Sequence, residues 1–200
     1  MSLCAGAAEL RVMTFNVRYP NPGDGANVWP ARRDLLVEVI RSRRPDLIGT
    51  QELYYEQGQY IVGQLPDYAW FGLSRRGNHE DEHMGVFYRK DRLRVIDSGD
   101  FWLSTTPEKP GSVSWNMSLP RMVTWAEMEV IGTGVRFHYF NTHFAHRDVD
   151  GAARLKSAQL LRCRIELLEE DAPVLVTGDF NASAGGPVYQ TLVPALADAW

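Results

Sequence analysis

Residues 173–182 read PVLVTGDFNA, a proline, three apolar residues, and then a run of polar groups ending in Asp179 and Asn181. The apolar half has the composition of a strand buried on both faces, expected over residues 173–179. Along a strand, side chains i and i+2 share a face, so Thr177 lies with Asp179, and Asn181 continues that row. Working outward, three other segments end the same way. Residues 10–17, 46–52 and 135–143 are apolar until their C-terminal ends, where Thr14 pairs with Asn16, Thr50 with Glu52 and Asn141 with His143. A buried polar group without a partner costs about 2–7 kcal/mol, so four such ends together are most economically explained by one shared polar site. In open α/β sheets ligands bind beyond the carboxyl ends of strands, which is where these residues would lie.

The rest of the chain supplies the frame. Helices are expected over residues 31–43, with Leu36, Val39 and Ile40 on one side and Pro45 as the stop, and over 55–65, carrying Ile61, Val62 and Leu65. Strands follow at 85–89, 93–103 and 122–130, and Gly132-Thr133-Gly134 is a hairpin signal before 135–143. A helix over 151–169 places Leu161, Ile165 and Leu168 at helical spacing, and a short one covers 187–192. Helices flanking mixed strands mean a layered α/β or α+β domain. No repeat, linker or low-complexity segment divides it. Two connections, 74–83 and 104–120, are long enough to be lids, binding loops or surface excursions.

With 21 basic and 25 acidic residues the formal charge is -4, which argues against non-specific nucleic-acid binding but leaves room for a local basic groove. Two cysteines, Cys4 and Cys163, make neither a disulfide framework nor a zinc site, and Cys163 is expected to be packed within its helix. No apolar run reaches membrane-spanning length and no signal peptide is evident. Cytoplasm is the default location, although removal of a signal peptide would leave the same sequence. Oligomeric state is not legible.

Glu52 and Asp179 are hard oxygen donors, and Asn16 and Asn181 add amide oxygens. That set suits Mg²⁺, which keeps several waters and shares its ligands with phosphate. His146 follows His143 at i+3, which fits neither a strand face nor a metal motif, so a supporting or loop role is expected. Trp29, Trp102, Trp115 and Trp125 either pack or stack on a base or sugar.

Eight segments occur together: TFNVRY (14–19), DGANVWPARR (24–33), DLIGTQE (46–52), MGVFYRKDRL (84–93), FWLS (101–104), LPRMVTW (119–125), FNTHFAH (140–146) and TGDFNA (177–182). In this order they resemble the endonuclease/exonuclease/phosphatase superfamily, in particular its single-domain bacterial hydrolases. The resemblance implies a DNase I-like α+β fold, a four-layer αββα sandwich of two mixed β-sheets. It spans residues 10–200 as a single domain, after a tail of residues 1–9. It implies Mg²⁺, or Mn²⁺, as cofactor and hydrolysis of a phosphomonoester or phosphodiester. The substrate classes are a phosphorylated small molecule, a sugar phosphate, a lipid head group or nucleic acid.

Residue by residue, the resemblance makes Glu52 a metal ligand, with Asn16 near the metal and the attacking water. Asp179, also near the metal, and Asn181 position or deprotonate that water and contact phosphate. His143 hydrogen-bonds the phosphate. Glu82 orients His143 and, as a nearby carboxylate, favours its protonated form. Arg121 binds substrate phosphate. Family members continue into a late aspartate and an Asp-His pair that are not found before Ala199-Trp200, so the expectation is a sandwich lacking its last strands. The alternative reading is a pseudoenzyme of the same fold that binds a phosphorylated ligand without turnover.

Overall fold

The computed structural model describes residues 9–168 and 172–199. Residues 1–8 of the expected tail (with Cys4), residue 169 and Trp200 lie outside them, and the helix expected over 151–169 ends at Glu166.

Two four-stranded mixed sheets form the centre. The first comprises β1 (Val12–Asn16), β2 (Leu47–Gln51), β3 (Tyr68–Phe71) and β4 (Val86–Arg89), in the order β1-β2-β4-β3. The pair β1·β2 is parallel, and β4 runs antiparallel to both β2 and β3. The second comprises β5 (Leu93–Trp102), β6 (Met122–Val130), β7 (Arg136–His143) and β8 (Val174–Asp179) in sequential order, antiparallel except for the parallel pair β7·β8. The helices are α1 (Trp29–Arg43), α2 (Tyr55–Gln64), α3 (Gly151–Glu166) and α4 (Pro187–Leu192).

Strand alternation sorts the apolar side chains into three cores, and the cores define the layers. Ile48 and Phe87 of the first sheet pack against Leu36, Val37 and Ile40 of α1 and Ile61 of α2. Leu47 and Val86, from the other face of that sheet, meet Ala126, Met128, Phe137 and Tyr139 of the second. Val123 and Phe140 turn the opposite way, onto Ala158, Leu161 and Ile165 of α3 and Val188 and Leu192 of α4. The result is helix, sheet, sheet, helix, the αββα order expected.

Several local expectations change. Helix α1 starts at Trp29 because Pro30 is accepted in a first turn, where no intrahelical N–H is required. Arg44 ends it in the left-handed conformation, its N–H bonded to Ile40 O at 2.8 Å. Val37, not Val39, joins Leu36 and Ile40 in the core; Val39 is exposed. Cys163 is exposed rather than packed. Strand β3 was not anticipated; it is a short edge strand after Pro66.

Candidate active site

Between the sheets, below the strand ends, lies a buried polar network. Gln51 Nε2 donates to Asn141 Oδ1 at 2.8 Å, and Thr177 Oγ1 donates to the same oxygen at 3.0 Å. Asn141 Nδ2 donates to Thr50 O at 2.8 Å, and Tyr139 OH lies 2.5 Å from Thr177 Oγ1. Asn141 is therefore not at the rim with His143. It bonds the second sheet to the first, underneath the site. Fully satisfied networks of this kind in a low-dielectric interior hold one relative placement of the elements they join.

Above the network, the ends of β1, β2, β7 and β8 converge. Asn16 Nδ2 donates to Glu52 Oε1 at 2.9 Å and to Asp179 Oδ2 at 3.1 Å, so one amide joins carboxylates from the two sheets. Glu52 reaches this point by a route that strand alternation does not give. Its φ is +59°, which ends β2 and turns its side chain away from the Thr50 face. Thr50 itself is buried, with Oγ1 donating to Gly85 O at 2.9 Å. The second Glu52 oxygen accepts from Tyr19 N at 3.2 Å.

Asp179 Oδ1 accepts the Asn181 N–H at 3.1 Å. Asn181, in the left-handed region at φ +48°, donates its Nδ2 to Phe144 O at 3.1 Å. His143 is 4% exposed and its Nε2 is 3.8 Å from Asp179 Oδ2, beyond hydrogen-bond reach. Its buried Nδ1 has no partner. Arg121, also buried, places Nη2 3.0 Å from His146 Nδ1, which gives His146 its supporting contact.

The structure corrects the expected Glu82–His143 pair. Glu82 Oε2 instead lies 2.9 Å from Arg75 Nη1. With that carboxylate taken up by an arginine, burial and then the nearby Arg121 charge push the His143 pKa down to about 3, against the pull of Asp179. These surroundings favour the neutral imidazole, the opposite of the protonated form expected. Burial also raises the Glu82 carboxyl, against Arg75 and Arg121. Arg75, Gln51 and Asp81 belong to this region and were not singled out by sequence. Of the tryptophans, Trp29 and Trp102 are buried and Trp115 and Trp125 partly so.

The donor set can be tested against a divalent cation. Two carboxylates, with side chains 17% and 34% exposed, face one amide. Among the described residues no group of three or more His, Cys, Asp and Glu side chains is gathered to hold a metal. A pair of hard oxygens fits an ion that retains water and shares its ligands with a substrate phosphate, as Mg²⁺ does, and does not fit zinc.

A family model for the endonuclease/exonuclease/phosphatase family matches residues 13–199. The chain belongs to that family. Among solved structures, an endonuclease/exonuclease/phosphatase from Bacteroides vulgatus is 36% identical at a TM-score of 0.89, covering 94% of this chain and 72% of that one. A mannosyl-6-phosphatase of Bacteroides thetaiotaomicron is 33% identical at 0.88, covering 93% and 70%. Nocturnin of Drosophila melanogaster is 24% identical over 208 residues, covering 92% of this chain and 30% of that protein. The curated relatives are the longer proteins: the chain spans between 30% and 59% of the length of those it matches. These family relatives share the two-sheet sandwich whose strand ends carry Asn16, Glu52, His143 and Asp179 here. Among the described residues no helix is long and apolar enough to cross a membrane.

Proposed function

We propose that this protein hydrolyses phosphoester bonds with the help of a divalent cation, Mg²⁺ or Mn²⁺, held by Glu52 and Asp179 with Asn16 beside them. The observation that carries the proposal is the single Asn16 amide bonded to both carboxylates, which brings two hard anionic donors from separate sheets to one point. Family membership supports the reaction class, because this family generally depends on a divalent metal.

The cation, when bound, would supply Lewis-acid polarisation of the phosphoryl and leaving oxygens. The chain's own residues account for the rest. Asn16 keeps the two carboxylates at a fixed spacing. Asp179 is anchored through Oδ1 by the Asn181 N–H, and its Oδ2, which accepts from Asn16 Nδ2, keeps a second lone pair to orient the attacking water and accept its proton. Neutral His143, with Nε2 turned toward Asp179, offers an N–H to a phosphoryl oxygen. Arg121 supplies positive charge where negative charge develops. A sugar phosphate or another small phosphorylated metabolite is the favoured substrate class, in line with the mannosyl-6-phosphatase likeness; lipid head groups and nucleic acid are the other classes to screen.

The test is a screen of sugar phosphates, nucleotides, phospholipids and DNA with Mg²⁺, with Mn²⁺ and with EDTA, run on the protein and on Glu52→Gln. Cation-dependent release of product, abolished in the folded variant, is expected. Turnover that survives EDTA or Glu52→Gln would refute the assignment.

A further inference from the structure

Arg75 lies in the loop between β3 and β4, in a polar and charged stretch of sequence. The structure turns it inward: Arg75 is 7% exposed, and Asp81, Glu82 and His83 are buried with it. Its N–H donates to Glu82 O at 2.8 Å, its Nη2 is 2.9 Å from Asp81 Oδ1, and its Nη1 is 2.9 Å from Glu82 Oε2. The end of β5 ties this loop to the second arginine. Trp102 Nε1 donates to Arg75 O at 2.6 Å, and the next residue, Leu103, donates its N–H to Arg121 O at 2.7 Å. Met84, Trp102 and Met122 pack together between the two attachments.

Both guanidinium groups have unused donors. Arg121 is 3% exposed and has no carboxylate ion pair among the described residues; its Nε and Nη1 are buried without a partner. The Nε of Arg75 is likewise unpartnered. A guanidinium carries five N–H groups and no acceptor, and leaving them dry and unpaired is costly unless an anion arrives to use them. Both charges bear on His143, and Arg121 also feels Asp179, so the two arginines act on the same corner of the site.

We propose that Arg75 and Arg121 form a two-arginine seat for a phosphate dianion, and that this seat commits the site to phosphomonoesters over phosphodiesters. The proposal rests on the phosphoester-hydrolase reading above and narrows it. Near neutral pH a monoester carries a charge of about -1.5 to -2 and three terminal oxygens. A diester carries one charge, and a second ester carbon blocks an oxygen that an arginine would bond. The unpartnered Nε of Arg75 and the unpartnered Nε and Nη1 of Arg121 are the donors for such terminal oxygens. Glu82, already beside Arg75, competes with the ligand for that arginine and so tunes the strength of the seat.

The experiment is calorimetric titration of the whole chain with inorganic phosphate and with dimethyl phosphate near neutral pH, alongside turnover of matched aryl monoesters and diesters with Mg²⁺. Inorganic phosphate is expected to bind about tenfold or more tightly than dimethyl phosphate. Arg75→Lys keeps the charge but loses the Nε donor; it should weaken phosphate by about tenfold and change dimethyl phosphate by about twofold at most. Equal changes for both ligands, or none, would overturn the seat. If Arg75→Lys does not fold, Glu82→Gln decides, because it strands no arginine and removes a competing charge. Tighter phosphate binding supports the seat, and unchanged or weaker binding overturns it. The two readings fail separately. Equal efficiency on monoesters and diesters removes the seat and keeps the hydrolase. The expected binding pattern without turnover of any ester keeps the seat and removes the hydrolase.

Discussion

Asn16 and Asp179, 163 residues apart in the chain and on different sheets, are joined by a 3.1 Å hydrogen bond from Nδ2 to Oδ2. The same nitrogen holds Glu52 Oε1 at 2.9 Å, so the spacing of the two carboxylates is set by one side chain. Asn16→Ala should separate the two effects of that side chain. Its bonds are solvent-accessible, so the loss of stability should be small, about 0.5–1.5 kcal/mol by denaturant titration. Carboxylates released from a shared partner lose their alignment, and kcat/KM on whichever ester the screen identifies should fall about 100-fold. A large stability loss with unchanged kcat/KM would mean that Asn16 is a structural clasp only.

The network beneath the site has no spare volume at Gly49. A Cβ there would lie 2.1 Å from Thr177 Oγ1 and 2.4 Å from both Asn141 Oδ1 and Tyr139 OH. These atoms are hydrogen-bonded to one another and cannot retreat without breaking the bonds that join the sheets. Gly49→Ala should therefore cost at least about 1–3 kcal/mol, the usual range for overpacking, and should lower the Tm by several degrees. A Tm equal to that of the parent protein would mean that the sheets can slide apart at no cost.

Acid should destabilise the protein before its carboxylates are protonated. His83 is fully buried, with Nδ1 3.0 Å from Leu53 O and Nε2 3.0 Å from His79 Nδ1, and burial pushes its pKa down to about 4. His143 moves the same way, to about 3. A histidine with a depressed folded pKa takes up its proton more readily when unfolded. Its contribution is therefore complete above the unfolded value of about 6.5 and is lost as pH falls through the folded value. Glu82, raised by burial, acts in the opposite sense and offsets part of the loss. The expected result is a Tm that declines from about pH 6.5 to about pH 4, and a shallower decline for His83→Gln. Identical slopes for the two proteins would remove His83 from the account.

The architecture was legible because apolar periodicity reports burial directly. The paired residues Leu47/Ile48 and Phe137/Phe140 point to opposite faces of their strands as alternation requires. What failed was every feature set by a single backbone angle or by pairing across the chain. The φ of +59° at Glu52 takes its side chain off the Thr50 face, and no residue type marks such a position as Gly would. Four residues of β3 are too few for a period to register. The 74–83 loop was open to several readings because its charges carry no periodicity, whereas the fold buries Arg75 in pairs with Asp81 and Glu82. That pairing also diverts Glu82 from His143, so a match by sequence position assigned a contact that the geometry gives to another residue.

Divalent-cation binding can be tested without any substrate. Glu52 and Asp179 repel one another across Asn16, and a cation between them would relieve that repulsion and add affinity for the folded state alone. By mass action, Mg²⁺ at about 100 times its Kd stabilises by about 2.7 kcal/mol, enough to raise the Tm measurably in a melt followed by circular dichroism. Glu52→Gln and Asp179→Asn should each abolish most of that shift. Each carboxylate also accepts hydrogen bonds from Asn16 Nδ2 and a backbone N–H, so the Mg²⁺ shift of each variant is read against its own Tm in EDTA. A general salt effect would instead raise all three proteins equally and be matched by Na⁺ at the same ionic strength. Equal Mg²⁺ shifts in the parent and in both variants would therefore exclude the two carboxylates as the cation's holders, whatever the enzyme proves to cleave.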